Sequence, residues 1–371
     1  MQLFKLKTQL SRFDTFAQFA TEFSLSAKDL IITNEFLAEP YMKSLKLPCH
    51  FIWQEKYGQG EPSDQMMNAI LDEVKKIDYD RVIAIGGGTV IDIAKLFVLK
   101  DLSNVVDAFE RTIPLEKEKL LVVIPTTCGT GSEVTNITIA EIKSKQTKMG
   151  LADDALMPDH AVIIPEFLSG LPFKYYAASA IDALIHAVES YVSPRANSYT
   201  RLYSKAAIGI ILDVFVNIAQ KGEAYRMERL EDMLIASNFA GIAFGNAGVG
   251  AVHALSYPLG GTYHVSHGEA NYQFFIPVFE KYLEKKPQGA LRDLNVFMAE
   301  TLKVAPGQVY GELDALLGKL LPKNKLRYYG MKESECEVFA ESVLQKQGRL
   351  LANNYVELSK DEITAIFQSL Y

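Results

Sequence analysis

The chain has 371 residues, of which 49% are hydrophobic and 22% charged, long enough for two domains with substantial cores. A net charge of −7 argues against nucleic acid or an anionic membrane as the main partner, because either favours a basic surface, and leaves a small molecule as the better fit. No uninterrupted apolar run of about 18 residues occurs, the opening MQLFKLKTQLSRFD lacks the apolar stretch of a secretory signal, and Cys49, Cys128 and Cys336 are scattered; the expected protein is soluble, cytoplasmic and without a disulfide framework.

Through residue 165, short β-branched runs alternate with longer amphipathic stretches. DLIITNEF, HFIWQ, DRVIAIGGG, KLLVVIPTT and HAVIIP predict a parallel α/β sheet. In DRVIAIGGGTVIDIAK, Gly86, Gly87 and Gly88 sit between a strand and a helix, where free backbone N–H groups and the positive helix end attract phosphate; the alternative is a tight connection and nothing more. The spacing is not G-x-G-x-x-G, so an ordinary Rossmann fingerprint is absent. Thr89 is placed to cap that helix and donate to phosphate. Asp92 and Lys95, at i and i+3, serve the same site or simply pair with each other on the helix surface. The next strand ends in VVIPTTCGTGSEVT, which offers hydroxyls from Thr126, Thr127, Thr130 and Ser132 beside Gly129 and Gly131. Two such loops at strand ends favour a dinucleotide; the alternative is a Ser/Thr-rich hairpin or loop that satisfies its own backbone.

Near Pro165 and Pro172 the pattern changes, and helical periodicity dominates to the end, as in YAASAIDALIHAVESYV and YSKAAIGIILDVFVNIA. The expected organisation is an α/β dinucleotide-binding domain over residues 1–165 and an all-α domain over 166–371, with SPRANS and QKGEAYR as polar connectors. Asp182 and His186 lie one turn apart in IDALIHAVES and point the same way; His253 and His267 follow in GAVHALSYPLGGTYHVSHGEAN. One carboxylate and three imidazoles suit Fe²⁺ or Zn²⁺ better than Mg²⁺ or Ca²⁺, which prefer all-oxygen shells. The opposing reading is histidines satisfied in a core. It is weakened because His186, His253, His264 and His267, four of the chain's 6 histidines, fall in one stretch.

Taken together, GGGTVIDIAK, PTTCGTGSE, IDALIHAVESYVSPRAN and HALSYPLGGTYHVSHGEAN closely resemble the iron-containing, or group III, alcohol dehydrogenases, in order and spacing and over practically the whole chain. NEFLAEP, QEKYGQGEPSD and YHVSHGEANY look most like the branch that acts on 4-hydroxybutyrate. The resemblance implies the dehydroquinate synthase-like architecture and a metal, Fe²⁺ with Zn²⁺ as the alternative, held by Asp182, His186, His253 and His267. It implies cofactor contacts by Gly87, Gly88 and Thr89 at the pyrophosphate, by Thr126, Thr127 and Ser132 in the second loop, and by Lys148 near the nicotinamide; Asp92 is grouped with them. It also implies a homo-oligomer, a dimer or larger.

Two departures stand out. Family members often have His four positions after the third metal ligand, where this chain has Tyr257; proton transfer then falls to Tyr257 or to His264, or both only shape the pocket. Where other members carry an Asp that disfavours NADP, LIITNEF presents Asn34 and Glu35, and NAD is expected with NADP as the alternative. The implied reaction is reversible hydride transfer between a nicotinamide and a primary alcohol/aldehyde pair, 4-hydroxybutyrate and succinic semialdehyde. The substrate carboxylate needs a cation or several donors, and Arg195 and Lys148 are the candidates. The competing readings are a broader alcohol, diol or lactaldehyde dehydrogenase, a lyase on the dehydroquinate synthase-like scaffold, and a non-catalytic sensor.

Overall fold

The computed structural model describes residues 2–145 and 147–371, which form two compact units: Leu6–Leu171, and Pro172–Tyr371 together with residues 2–5. The division falls beyond residue 165 because the helix Pro165–Ser169 packs back onto the first unit. Its Phe167 is buried, with its ring 5.8 Å from Phe16 and 5.0 Å from Tyr41. The N-terminal residues belong to the second unit because Lys5 and Asn246 exchange hydrogen bonds of 2.7 and 3.0 Å and Phe4 stacks on Tyr203.

The first unit carries eight strands: β1 (Gln9–Arg12), β2 (Asp29–Thr33), β3 (His50–Trp53), β4 (Arg81–Gly86), β5 (Leu120–Pro125), β6 (Ile137–Ile142), β7 (Thr147–Ala152) and β8 (His160–Ile163). Six of them make a sheet in the order β1-β8-β5-β4-β2-β3, parallel at every pairing. The five apolar runs of the sequence supply β2, β3, β4, β5 and β8. The short polar edge strand β1 was not expected, nor was the antiparallel hairpin β6–β7. That hairpin follows the Ser/Thr-rich segment, and its first strand alternates faces, with Thr138, Ala140 and Ile142 buried and the residues between them only partly so.

The helices of this unit are α1 (Phe16–Glu22), α2 (Glu35–Tyr41), α3 (Asp64–Val74), α4 (Gly88–Leu96), α5 (Val105–Glu110) and α6 (Pro165–Ser169). Because strand side chains alternate, β2, β4 and β5 build two cores at once. Leu30, Ile32, Val82, Ala84, Leu121 and Val123 pack against α3, α4 and α5. Ile31, Ile83, Ile85, Val122 and Ile124 pack on the other face with Phe16, Ala38 and Phe167. This sandwiching explains why the central strands are continuous apolar runs.

The second unit is helical: α7 (Phe173–Val192), α8 (Ser198–Lys221), α9 (Leu230–Ala247), α10 (Ala251–Tyr263), α11 (His267–Lys285), α12 (Ala290–Leu302), α13 (Val309–Leu320), α14 (Glu335–Lys346), α15 (Gly348–Leu351) and α16 (Lys360–Leu370). Helix α7 is its centre, in contact with α8, α9, α11 and α12 and buried without a break from Ala180 to Val192. The SPRANS connector ends in a capping box, in which Asn197 accepts from the N–H groups of Tyr199 and Thr200, so it sets the start of α8. Helix α8 is long and apolar enough by composition to cross a bilayer, but it packs against α7, α9, α12 and α13.

Candidate active site

The helical unit gathers the four predicted metal-binding side chains. Asp182 and His186 share one face of α7; His253 comes from the first turn of α10, and His267 is the first residue of α11. One donor atom from each lies within 4.8 Å of the other three. His253 Nε2 is 3.0 Å from His186 Nε2 and 3.9 Å from Asp182 Oδ1, while His186 Nδ1 and His267 Nε2 lie 3.7 and 3.9 Å from Asp182 Oδ2. Asp182, His186 and His253 are buried, whereas the His267 side chain is 31% exposed, so the cluster is closed on three sides and accessible at His267.

Local packing explains the convergence. A Cβ on Gly268 would stand 2.4 Å from the Ala178 carbonyl oxygen and 3.2 Å from Asp182 Cβ, so the missing side chain lets α11 touch the backbone of α7 just where His267 must reach Asp182. Phe244 stacks on His186 with centroids 4.4 Å apart. Asn271, one turn after His267, donates to Asp182 Oδ1 at 2.7 Å and lies 3.2 Å from His267 Nε2. Glu189, three residues after His186, lies 2.6 Å from His253 Nδ1. Burial alone would push the Asp182 carboxyl up, but the imidazoles of His186, His267 and His253 and the Asn271 amide outweigh it and hold its pKa below the ordinary value.

The donor set fits a borderline divalent ion. Three imidazole nitrogens and a carboxylate oxygen, one from each residue and all within 4.8 Å of one another, match groups that would each sit about 2.1 Å from a shared ion. The close approach of two ring nitrogens beside a buried carboxylate is the arrangement a cation would satisfy.

In the α/β unit, the two glycine-containing loops start side by side. Gly86 of β4 pairs in register with Pro125 of β5, and the Thr126 N–H donates to the Gly86 carbonyl at 3.1 Å. A Cβ on Gly86 would lie 2.6 Å from the Val90 side chain, and one on Gly88 3.0 Å from Thr130 Cγ2. Gly87 is the N-cap of α4 and supplies no side chain to cap it, so the first-turn N–H groups are offered to an anion.

Comparison with known proteins gives the same reading for both units. The iron-containing alcohol dehydrogenase family model matches residues 9–165, and the C-terminal model of the Fe-containing alcohol dehydrogenase family matches residues 176–371. The chain belongs to the iron-containing alcohol dehydrogenase family. It is 50% identical over 371 residues to 4-hydroxybutyrate dehydrogenase of Clostridium kluyveri, covering 100% of both chains. It is 35% identical over 305 residues to long-chain-alcohol dehydrogenase 1 of Geobacillus thermodenitrificans, covering 79% of this chain and 75% of that one. Among solved structures it superposes on sulfoacetaldehyde reductase from Bifidobacterium kashiwanohense in complex with NAD+ with a TM-score of 0.85 at 20% identity, covering 99% and 98% of the two chains; that likeness is one of fold.

Several residues of this iron-containing alcohol dehydrogenase are placed differently from expectation. Thr89 does not cap α4: its hydroxyl donates to the Gly60 carbonyl at 3.0 Å, and Gly87 holds the cap position. Asp92 and Lys95 do pair, at 3.9 Å, but not on the surface: Asp92 also accepts from Ser132 Oγ at 2.7 Å and from the Ile139 N–H at 3.0 Å. Lys95 is wholly buried and donates to Ser132 Oγ, Thr135 Oγ1 and the Ile137 carbonyl at 2.6, 3.2 and 2.6 Å. Asp92, Lys95 and Ser132 therefore fasten the second loop to α4. Lys148, on β7, is mostly buried and ion-paired with Glu61.

The remaining candidates separate by position. Tyr257 is half-buried one turn beyond His253 on the same helix. His264 is exposed past the end of α10, in a left-handed conformation at φ 53°. Arg195 is exposed in the α7–α8 connection. Glu35 is exposed, and its N–H donates at 2.6 Å to Glu55, whose carboxylate also accepts from Asn34 Nδ2 at 3.0 Å. Glu55, Glu189, Asn271 and Gly268 were not singled out from the sequence. Glu189 and Asn271 did carry a signal, at i+3 from His186 and i+4 from His267.

Proposed function

We propose that the protein catalyses metal-dependent, reversible hydride transfer between NAD(H) and 4-hydroxybutyrate/succinic semialdehyde. Its metal would be Fe²⁺, or Zn²⁺ with the same donors, held by Asp182, His186, His253 and His267. The observation that carries this reading is the convergence of those four donor groups in a chain 50% identical, end to end, to a 4-hydroxybutyrate dehydrogenase. In oxidation the alcohol loses a hydride to C4 of the nicotinamide and a proton from its hydroxyl, giving aldehyde, NADH and H⁺; reduction reverses each transfer. When bound, the metal supplies Lewis-acid polarisation of the substrate oxygen.

The protein's own part is binding, orientation and proton handling. Gly87 and Gly88 bring backbone N–H groups and the positive end of α4 to the pyrophosphate. Thr126 and Thr127 line the second loop, which Asp92, Lys95 and Ser132 hold in place. Lys148, paired with Glu61, borders the nicotinamide half. Tyr257 is a better proton-handling group than His264, because it follows His253 by one turn on the same helix face, whereas His264 lies exposed beyond that helix. NAD is favoured over NADP because the Glu55 carboxylate is held against Asn34 and Glu35 just past the end of β2, where a 2′-phosphate would meet like charge. The candidates for recognising the substrate carboxylate are Lys148, whose ammonium is paired with Glu61, and the exposed Arg195.

The test is anaerobic oxidation of NADH, with NADPH in parallel, by Fe²⁺-reconstituted protein supplied with succinic semialdehyde or butanal. A metal-dependent kcat/KM at least about tenfold higher for succinic semialdehyde, equivalent to about 1.4 kcal/mol, is expected. Equal use of both aldehydes would discard the carboxylate-bearing substrate, and no consumption of either cofactor would discard the dehydrogenase.

A further inference from the structure

We propose that Glu189 is a positioning residue that fixes the proton of His253 on Nδ1 and so presents Nε2 to the metal. The proposal rests on the reading of Asp182, His186, His253 and His267 as a metal site and adds to it a residue outside the ligand set. Glu189 is 2% exposed, and both carboxylate oxygens are engaged by one short segment. Oε1 accepts the Val252 N–H at 2.8 Å, and Oε2 lies 2.6 Å from His253 Nδ1. An oxygen that receives the ring's Nδ1–H leaves Nε2 with a lone pair, and Nε2 is the atom that faces His186 Nε2 at 3.0 Å and Asp182 Oδ1 at 3.9 Å.

The surroundings give Glu189 little room to do otherwise. Helix α10 begins with its first N–H, that of Ala251, donating 2.9 Å to Asn354 Oδ1 and its second, that of Val252, donating to Glu189. A Cβ on Gly250 would stand 2.9 Å from Asn354 Oδ1 and 3.3 Å from Glu189 Oε1, so these two side chains fill the space at the helix start. Glu189 belongs to the same α7 surface as His186, and one helix thus presents a donor to the ion and, one turn on, the group that orients a donor from another helix. A carboxylate behind a metal-binding imidazole commonly fixes the tautomer and ring orientation and is worth about 10- to 100-fold in metal affinity.

A pure helix cap would need only the contact to Val252. Glu189→Gln separates the two roles, because the amide keeps one oxygen for the Val252 N–H but turns an NH₂ toward Nδ1, where it demands an acceptor and favours the Nε2–H tautomer. Zn²⁺ affinity measured by chelator competition should fall about 10- to 100-fold in Glu189→Gln, while the metal-free protein keeps the urea midpoint of the wild type. Wild-type affinity in that variant would overturn the proposal, and His253→Ala, measured alongside, shows that the site itself is real. The second readout needs no variant: ¹⁵N spectra of histidine-labelled wild-type protein should show the His253 proton on Nδ1. A proton on Nε2 would overturn the proposal even if Glu189→Gln failed to fold. Wild-type protein that takes up neither Zn²⁺ nor Fe²⁺ would overturn the metal site and this proposal with it.

Discussion

Lys95 shows how much a single buried charge shapes the α/β unit. Its ammonium has no contact with water, and burial lowers its pKa to about 8, while Asp92 and Glu133 pull in the opposite direction. Three acceptors meet its three N–H donors, so the charge is held where a bare lysine would not be tolerated. The unfolded chain keeps this proton to about 10.5, so between pH 8 and 10 it binds more protons than the folded one, and the Lys95 contribution makes stability rise with pH. Over that interval, wild type should gain on the order of 2 to 3 kcal/mol relative to Lys95→Met. Urea unfolding of both proteins at pH 8 and pH 10 measures the difference, and parallel pH dependence would show that Lys95 does not titrate there. The charge run DIAK reads equally well as a surface pair; only the hairpin β6–β7 folding over it makes it interior.

At the scale of elements, the metal cluster depends on how closely α11 approaches α7. Gly268 meets backbone rather than a flexible side chain, with the Ala178 carbonyl oxygen and carbon 2.4 and 3.0 Å from where a Cβ would be. Gly268→Ala therefore has to push α11 off α7 and draw His267 away from Asp182. Overpacking of this kind costs about 1 to 3 kcal/mol, and Zn²⁺ affinity should fall with it. Urea unfolding and chelator competition on the variant check both effects; wild-type values for each would mean that another contact sets the position of α11. The pairing of Asp182 with His186 needed only helical periodicity. The arrival of His253 and His267 depended on where α10 and α11 begin, which no local pattern specifies, and the same holds for the antiparallel pairing of β6 with β7.

On the scale of the whole molecule, an ion that joins α7, α10 and α11 ties together segments distant in sequence, so binding is linked to stability. At an excess of about 100 times Kd, Zn²⁺ should stabilise the folded protein by about 2.7 kcal/mol. Calorimetry with and without the ion measures the shift, and Asp182→Ala should abolish it. A shift unchanged in Asp182→Ala would place the ion elsewhere.

The sequence by itself determined the parallel sheet, the helical second half, the two glycine-containing loops and which four side chains make up the Asp/His cluster. Each of these rests on local periodicity, on residue chemistry or on the joint spacing of several motifs. Tertiary structure alone decided that Asp92, Lys95 and Ser132 face one another, that Thr89 serves Gly60, that His264 and Arg195 lie exposed, and that Glu189 and Asn271 stand behind the donors. The reason is physical: a side chain's partners depend on which elements pack against its own, and burial converts a lysine or a glutamate from a solvated surface group into a fixed hydrogen-bonding part only after those elements have met.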